Sequence, residues 1–415
     1  MKVDCLVLGA GIVGTCVALH LQKADRSTVL LDRRGVSEET SFGNAGLIQR
    51  EAVVPYGFPQ ELGSLLRYAT NTMVDMHFHP SALPGLAPFL WAYWRNSHTA
   101  RHMEISRQYA TLIAHCVSEH DKLAEEADAT QLLRRVGYMD VFRSADDRDA
   151  SYAKADAWGR EFGLNHRKLG PAELRQAEPH LSQDMIGALH WTDPVSVLDP
   201  HGLASAYLAR FEQLGGQFVK GEASTLSENA GGGWTAVGFD GEVIEARDAI
   251  ICLGPWADLV TRTLGYRFPL AVKRGYHMHF KPAGNAVLNH VVVDSEYGYV
   301  LAPMNKGVRL TTGAEFARRD AARTPVQLAR AEPLAKGLFP LESRLDDAPW
   351  MGCRPCTPDM MPIIGPAHRH KNLTFAFGHA HHGLTLGAVT GRMVAEMVTG
   401  REVFVNPEPF RPGRF

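Results

Sequence analysis

From Val3 to Leu8 the chain is apolar except for Asp4, and Gly9, Gly11 and Gly14 punctuate the apolar stretch that follows, up to Gln22. The first run predicts a short buried strand, and the second a helix that opens on a glycine-rich turn. Thr28 to Leu31 repeats the buried-strand pattern and ends at Asp32. Strand, glycine turn, helix, strand and acid follow one another within about 30 residues, the length of one βαβ unit. Further along, Arg101 to about Glu126 has helical periodicity and predicts one surface-packed helix. Tyr138 to Phe142 predicts a strand, and Asp146 to Phe162 a second amphipathic helix. Gly202 to Leu214 predicts a helix stopped by Gly215 and Gly216, with a strand beginning at Gln217. Asp240-Gly241 is a hairpin signal within Trp234 to Val243, and Ala249 to Leu253 is an apolar strand halted at Gly254-Pro255. Several strand-like runs lie between Val272 and Thr312 with no long helix among them, which predicts antiparallel pairing. A final helix spans Ala388 to Val398 and closes at Gly400. Pro84 to Trp94 is the most aromatic stretch, and of a core helix and an interfacial patch the core helix is expected.

Parallel patterning at both flanks with antiparallel patterning between predicts an interleaved α/β fold. A Rossmann-like domain is expected from residues 1–50, about 197–263 and 346–407. An inserted α+β domain with a mixed or antiparallel sheet is expected from 51–196 and 264–345. The length of 415 residues suits two domains or more. Lys and Arg total 43 against 45 Asp and Glu, a balance that leaves no electrostatic footprint for nucleic acid. Six cysteines in so long a chain do not form a disulfide framework, and several sit in apolar runs. Buried thiols in a reducing compartment imply the cytoplasm. No apolar run is long enough to span a membrane, and peripheral contact at the inner membrane face stays open.

The opening turn carries the first chemistry. Gly9 permits a tight exit from the strand, Gly11 lets backbone approach a pyrophosphate, and Gly14 lets the helix pack close to the sheet. Ile12 and Val13 begin that helix, whose N-terminus favours phosphate charge. Asp32, 18 positions beyond Gly14, can accept the hydroxyls of an adenosine ribose. This pattern alone does not separate a nicotinamide from a flavin dinucleotide. Arg33 follows the acid, and then Ser41, Asn44, Ala45 and Gly46 form a small-residue loop whose N–H groups can wrap a pyrophosphate and ribityl chain. Near the other end, Gly378 precedes His379, His381, His382, Gly383, Leu384 and Thr385, which open the last helix. A glycine-rich helix N-terminus stabilises negative charge such as that on a reduced flavin. The three histidines lack an evident carboxylate partner and are expected to cap the helix or line a pocket; no metal is expected.

These motifs together resemble the FAD-dependent amine and D-amino acid oxidoreductases, most nearly the bacterial D-amino acid dehydrogenase branch and more distantly glycine and sarcosine oxidases. The resemblance runs nearly the whole length. It rests on G-A-G-I-V-G with Asp32, S-F-G-N-A-G, G-P-W-A from Gly254 through Trp256 to Ala257, R-G-Y-H at Arg274 to His277, G-C-R-P-C-T-P-D, and the C-terminal G-H-x-x-x-G-L-T-L-G. It implies a D-amino acid oxidase-like fold and non-covalent FAD. It implies oxidative deamination of a D-amino acid or related amine, by hydride transfer from Cα to flavin N5, giving an imine and then a 2-oxo acid or cyclic imine. Arg354 would grip the substrate carboxylate, and a planar guanidinium suits that task. Tyr299, or Tyr297 in its place, would add a phenol. Tyr276 and His277 would line the substrate pocket, and the R-G-Y-H variant points loosely to proline-like substrates such as a D-hydroxyproline. The acceptor, whether quinone, electron-transfer protein or oxygen, is not legible. A NAD-dependent dehydrogenase, or a FAD-carrying subunit with no amine site, are the competing readings.

Overall fold

The computed structural model describes residues 1–415. Its first sheet has eight strands. Lys2–Leu8 lies at its centre, parallel to Thr28–Asp32 on one side and to Val243–Ile251 on the other. Gln217–Lys220 extends one edge, and Leu373–Phe377 pairs in parallel with Val243–Ile251. Helices Ile12–Lys23 and Gly383–Thr399 pack closely against each other on one face of it. Gly391 permits that approach, since a Cβ there would stand 2.6 Å from the carbonyl oxygen of Cys16.

The second sheet has eleven strands and is mostly antiparallel. Its longest strand, Ala271–Pro282, pairs along its first half with Trp350–Cys356 and along its second half with Gly307–Thr311. Side chains alternate across such a strand. Tyr276, Met278 and Phe280 enter a core closed by helix Val326–Leu338, leaving Lys273 and Gly275 on the opposite face.

The division expected from sequence differs in two places. Strand Trp350–Cys356, which carries Arg354, belongs to the second sheet, because it pairs with residues 271–277. Residues 99–126 pack with the C-terminal helix, so they belong physically to the dinucleotide side. They form two helices, Thr99–Ile113 and Cys116–Glu126, where the periodicity predicted one. The break at Ala114 and His115 lets Tyr109, Leu112, Leu123 and Ala124 all reach the same core. The aromatic stretch forms helix Leu83–Asn96, but only Phe89 and Tyr93 are buried and Trp91 is 61% exposed. It is a rim helix with one inward face, a correction to the core expectation.

Candidate active site

A single cavity of about 610 Å³ runs from the glycine turn to the face of the second sheet. At its dinucleotide end, Gly9 adopts φ +104, and a Cβ there would stand 2.6 Å from the carbonyl oxygen of Cys252. A Cβ at Gly14 would fall 1.8 Å from the Gly9 carbonyl oxygen, so this glycine sets helix–sheet packing and does not itself line the cavity. Gly9, Gly11, Ile12 and Val13 do line it. Asp32 accepts the N–H groups of Ala10 (2.7 Å) and Arg34 (2.9 Å), one on each carboxylate oxygen. Burial raises its pKa, and each oxygen keeps a lone pair for a ribose hydroxyl. Arg33 lies over the Trp256 ring at 4.8 Å, and both line the cavity with Gly254. Glu222, Ala223 and Ser224 complete this end, which the sequence reading missed.

The loop from Thr40 to Gly46 forms the next wall. Ser41 accepts the Ile12 N–H at 3.0 Å, and Ser41, Asn44 and Ala45 line the cavity. Gly46, at φ +72, turns the chain away: a Cβ would stand 2.4 Å from the Val197 carbonyl oxygen. Arg309 anchors the loop from behind, donating Nη1 to the carbonyls of Phe42 and Asn44. Its Nε donates to His279 Nε2 (3.0 Å), and His279 Nδ1 meets Asp346 at 2.8 Å. Opposite this loop, Gly383 and Leu384 line the cavity where helix Gly383–Thr399 begins, so free N–H groups of its first turn open toward it. Thr385 lies behind, bonding the Leu47 carbonyl and the Gln49 N–H. Gly378, at φ +81, is a turn outside the lining.

At the far end stands Arg354. Its guanidinium donates to the backbone carbonyls of Gly313 (2.7 Å) and Thr312 (3.2 Å) and makes no ion pair. Burial lowers its pKa, since no carboxylate offsets the lost hydration. Lys273, its cross-strand neighbour, donates to the Tyr93 hydroxyl at 3.1 Å and likewise has no acidic partner. Tyr56 lines this end. It comes from a loop and is 67% exposed. His381 packs on Tyr56 with ring centroids 4.6 Å apart. A bridge between Cys356 and His379, and the Ala380 N–H on the Pro355 carbonyl at 2.8 Å, bring His381 alongside Arg354. Ala380 holds φ +50, a left-handed conformation uncommon for a residue with a Cβ. Burial, then His382, Arg354 and Lys273, hold the His381 pKa well below its ordinary value. His379 and His382 bond Thr390 and Tyr109 hydroxyls, so both are packing groups. Asp140 also lines the cavity, and burial pushes it and the neighbouring Glu51, which lies outside the lining, up to about 7.

Of the side chains expected at the substrate, Tyr299 and His277 lie outside the cavity lining, while Tyr276 borders the cavity with its hydroxyl committed to a buried network. The Tyr276 hydroxyl bonds Arg274 and Glu315 at 2.9 Å each in a fully buried network. Tyr299 is buried in the core behind the sheet, and burial, then the Asp294 charge, raises its pKa. His277 stacks on Trp350 at 4.8 Å and is held down to about 2 by burial and the Arg309 charge, a neutral wedge outside the lining. Tyr56, Tyr93 and Lys273 stand where these were expected. An alternation count along residues 271–282 could have pointed to Lys273; nothing local marked Tyr56 or Tyr93. Cys353 and Cys356 are free buried thiols.

The cradle, the ribose carboxylate and the continuous cavity fit an extended dinucleotide, and the comparisons agree. The profile of the FAD dependent oxidoreductase family matches residues 4–397. The chain is 28% identical over 424 residues to a D-amino-acid oxidase of Bradyrhizobium diazoefficiens, covering 99% of this chain and 98% of that one. It is 26% identical to a D-amino acid dehydrogenase of Chromohalobacter salexigens, covering 97% of each. Among solved structures, glycine oxidase from Geobacillus kaustophilus superposes with a TM-score of 0.75 at 20% identity, covering 100% of this chain and 99% of that one. Iminodiacetate oxidase from a Chelativorans species gives 0.74 at 21%, covering 99% of each. These structural likenesses carry the fold. A match that spans the C-terminal segments as well as the glycine turn sets aside the NAD-dependent reading: the chain belongs to the family of FAD-dependent oxidoreductases that act on amino acids and amines.

Proposed function

We propose that this enzyme dehydrogenates the Cα–N bond of a D-amino acid whose carboxylate rests on Arg354. The observation that carries the reading is a cavity-lining guanidinium fixed by backbone carbonyls and lacking any carboxylate of its own. Such a group is oriented before substrate arrives, and an incoming carboxylate supplies the charge it lacks. The names of the relatives, D-amino-acid oxidase and D-amino acid dehydrogenase, favour the D series. FAD, when bound, supplies the two-electron acceptor. It would be held by Gly9, Gly11, Asp32, Ser41, Asn44 and the N-terminus of helix Gly383–Thr399. Non-covalent binding is supported by the thiols, since burial pushes Cys353 up to about 11 and raises Cys356, leaving both protonated and weakly nucleophilic.

The protein's part is to position, desolvate and compensate charge. Arg354 fixes the substrate carboxylate, and with it the face from which the Cα–H leaves. Tyr56, on a loop over the cavity, limits water once substrate is seated. Loss of the Cα–H and an N–H proton leaves an imine, which water converts to a 2-oxo acid and ammonia, or which leaves as a cyclic imine. A proline-like substrate such as a D-hydroxyproline draws less on this motif, because Arg274 is held by Glu315 and His277 stacks on Trp350 outside the lining, leaving Tyr276 alone of the three at the cavity. The test is anaerobic bleaching of the purified flavoprotein by a panel of D-amino acids, their L-enantiomers, glycine, sarcosine and D-hydroxyproline. Rapid bleaching by one or more D-amino acids is expected. A flavin bleached by none of them would mark a FAD-carrying subunit without an amine site.

A further inference from the structure

Arg354 is one of two cations at the substrate end, and a single carboxylate answers only one of them. Lys273 occupies the position directly opposite Arg354 on the neighbouring antiparallel strand, with both residues lining the cavity. Gly275, two residues along, leaves space for the Arg354 guanidinium, since a Cβ there would stand 2.5 Å from Nη2. Lys273 turns instead toward Tyr93, its ammonium 4.2 Å from that ring's centroid and 5.4 Å from that of Phe316. It donates to the Tyr93 hydroxyl and makes no ion pair. Among the cavity's carboxylates, Asp75 accepts the Tyr68 hydroxyl at 2.6 Å through one oxygen and leaves the other without a partner, Asp140 accepts the Trp191 indole N–H at 3.1 Å, and neither pairs with Arg354 or Lys273. His381 beside the two cations is neutral, so it subtracts nothing from their charge. Two enclosed cations with no carboxylate in ion-pair contact are costly to maintain unless the ligand completes them.

We infer that the substrate carries two carboxylates, one taken by Arg354 and the second by Lys273. The class is an acidic D-amino acid or an amine bearing two carboxylate arms. A monocarboxylic amino acid, a zwitterion, would leave one cation of the pair unanswered; a dicarboxylic one answers both. This rests on the Arg354 reading and goes beyond it by assigning the side-chain subsite.

The experiment compares D-aspartate and D-glutamate with the size-matched neutral D-asparagine and D-glutamine in rapid anaerobic reduction, in the parent and in Lys273→Met and Lys273→Arg. The parent is expected to favour a dicarboxylic substrate. In Lys273→Met, kcat/KM for dicarboxylic substrates should fall roughly thirtyfold or more beyond any fall for neutral ones, the effect of removing one partner of a desolvated charge pair. Lys273→Arg should restore part of that preference. Binding is measured independently by calorimetry with glutarate against butyrate, neither of which is oxidised, and glutarate should lose its advantage in Lys273→Met. Three results would overturn the inference: a parent that prefers neutral D-amino acids, an equal loss for both classes, or equal binding of glutarate and butyrate to the parent. An equal loss would instead assign Lys273 to the cofactor or to the fold, which FAD content separates. A parent bleached by no amino acid would fail the broader reading, while glutarate binding would still report on this subsite.

Discussion

A Cβ at Gly275 would occupy the place of the Arg354 guanidinium, so the missing side chain on one strand is a condition for the charge on the next. Two substitutions follow from that geometry. Arg354→Ala removes the guanidinium and leaves the substrate carboxylate unpaired in a water-poor site. Truncating one partner of such a pair costs roughly 2–5 kcal/mol, about thirtyfold to several-thousandfold in kcat/KM. Arg354→Lys should recover only part, because an ammonium cannot reproduce the planar fork held by the Gly313 and Thr312 carbonyls. Gly275→Ala should lower kcat/KM as well by displacing the guanidinium, with all groups still present. FAD content should stay near that of the parent in all three, because the glycine cradle lies at the other end of the cavity. Stopped-flow reduction beside a flavin-to-protein ratio checks each, and undiminished reduction in Arg354→Ala would remove the carboxylate clamp from the mechanism.

At the scale of elements, cofactor retention should depend on the first βαβ unit and on the loop that Arg309 anchors. Asp32→Ala deletes the acceptor for the Ala10 and Arg34 N–H groups together with the expected ribose contact. Gly11→Val places a branched side chain at a cavity-lining turn, with Ser41 Oγ only 3.3 Å from its Cβ. Both variants are expected to purify with reduced FAD, and full flavin content with unchanged absorbance would argue against this cradle. The βαβ unit was legible because period and turn chemistry are local properties. So were the last helix and the hairpin at Asp240-Gly241, which appear as Gly383–Thr399 and as Trp234–Val237 paired with Val243–Ile251. The substrate end was less legible, because it is assembled from distant elements. Tyr56 comes from a loop, Tyr93 from a rim helix, and Lys273 and Arg354 from paired strands. Tyr276 shows the limit in one residue. It sits inside a motif the family resemblance singled out and borders the cavity, yet its hydroxyl is committed to the Arg274–Glu315 network.

Across the whole molecule, buried histidines should make the fold acid-labile. Burial holds His277 at about 2, His20, His379 and His382 at about 3, His120 at about 4, and His381 well below its ordinary value. In the unfolded chain each takes a proton below about pH 6.5. Between there and the native values the unfolded state therefore binds more protons, so this stabilisation is complete above about pH 6.5 and is lost as pH falls. Glu51 and Asp140 act in the opposite sense, because the native state keeps their protons up to about 7 while the unfolded state releases them near 4. Six histidines outweigh two acids. At about 1.4 kcal/mol per pH unit for each net proton, stability should rise by several kcal/mol between about pH 5 and pH 6 and flatten above about 7. Urea midpoints at saturating FAD across that range measure it; saturation matters because ligand binding itself adds stability. His379→Gln keeps a hydrogen-bonding side chain opposite Thr390 and should lower the slope by close to one proton. A midpoint that stays flat from pH 5 to 7 would mean that these histidines already carry protons in the native protein, and the neutral packing roles given to His277, His379 and His382 would then be wrong.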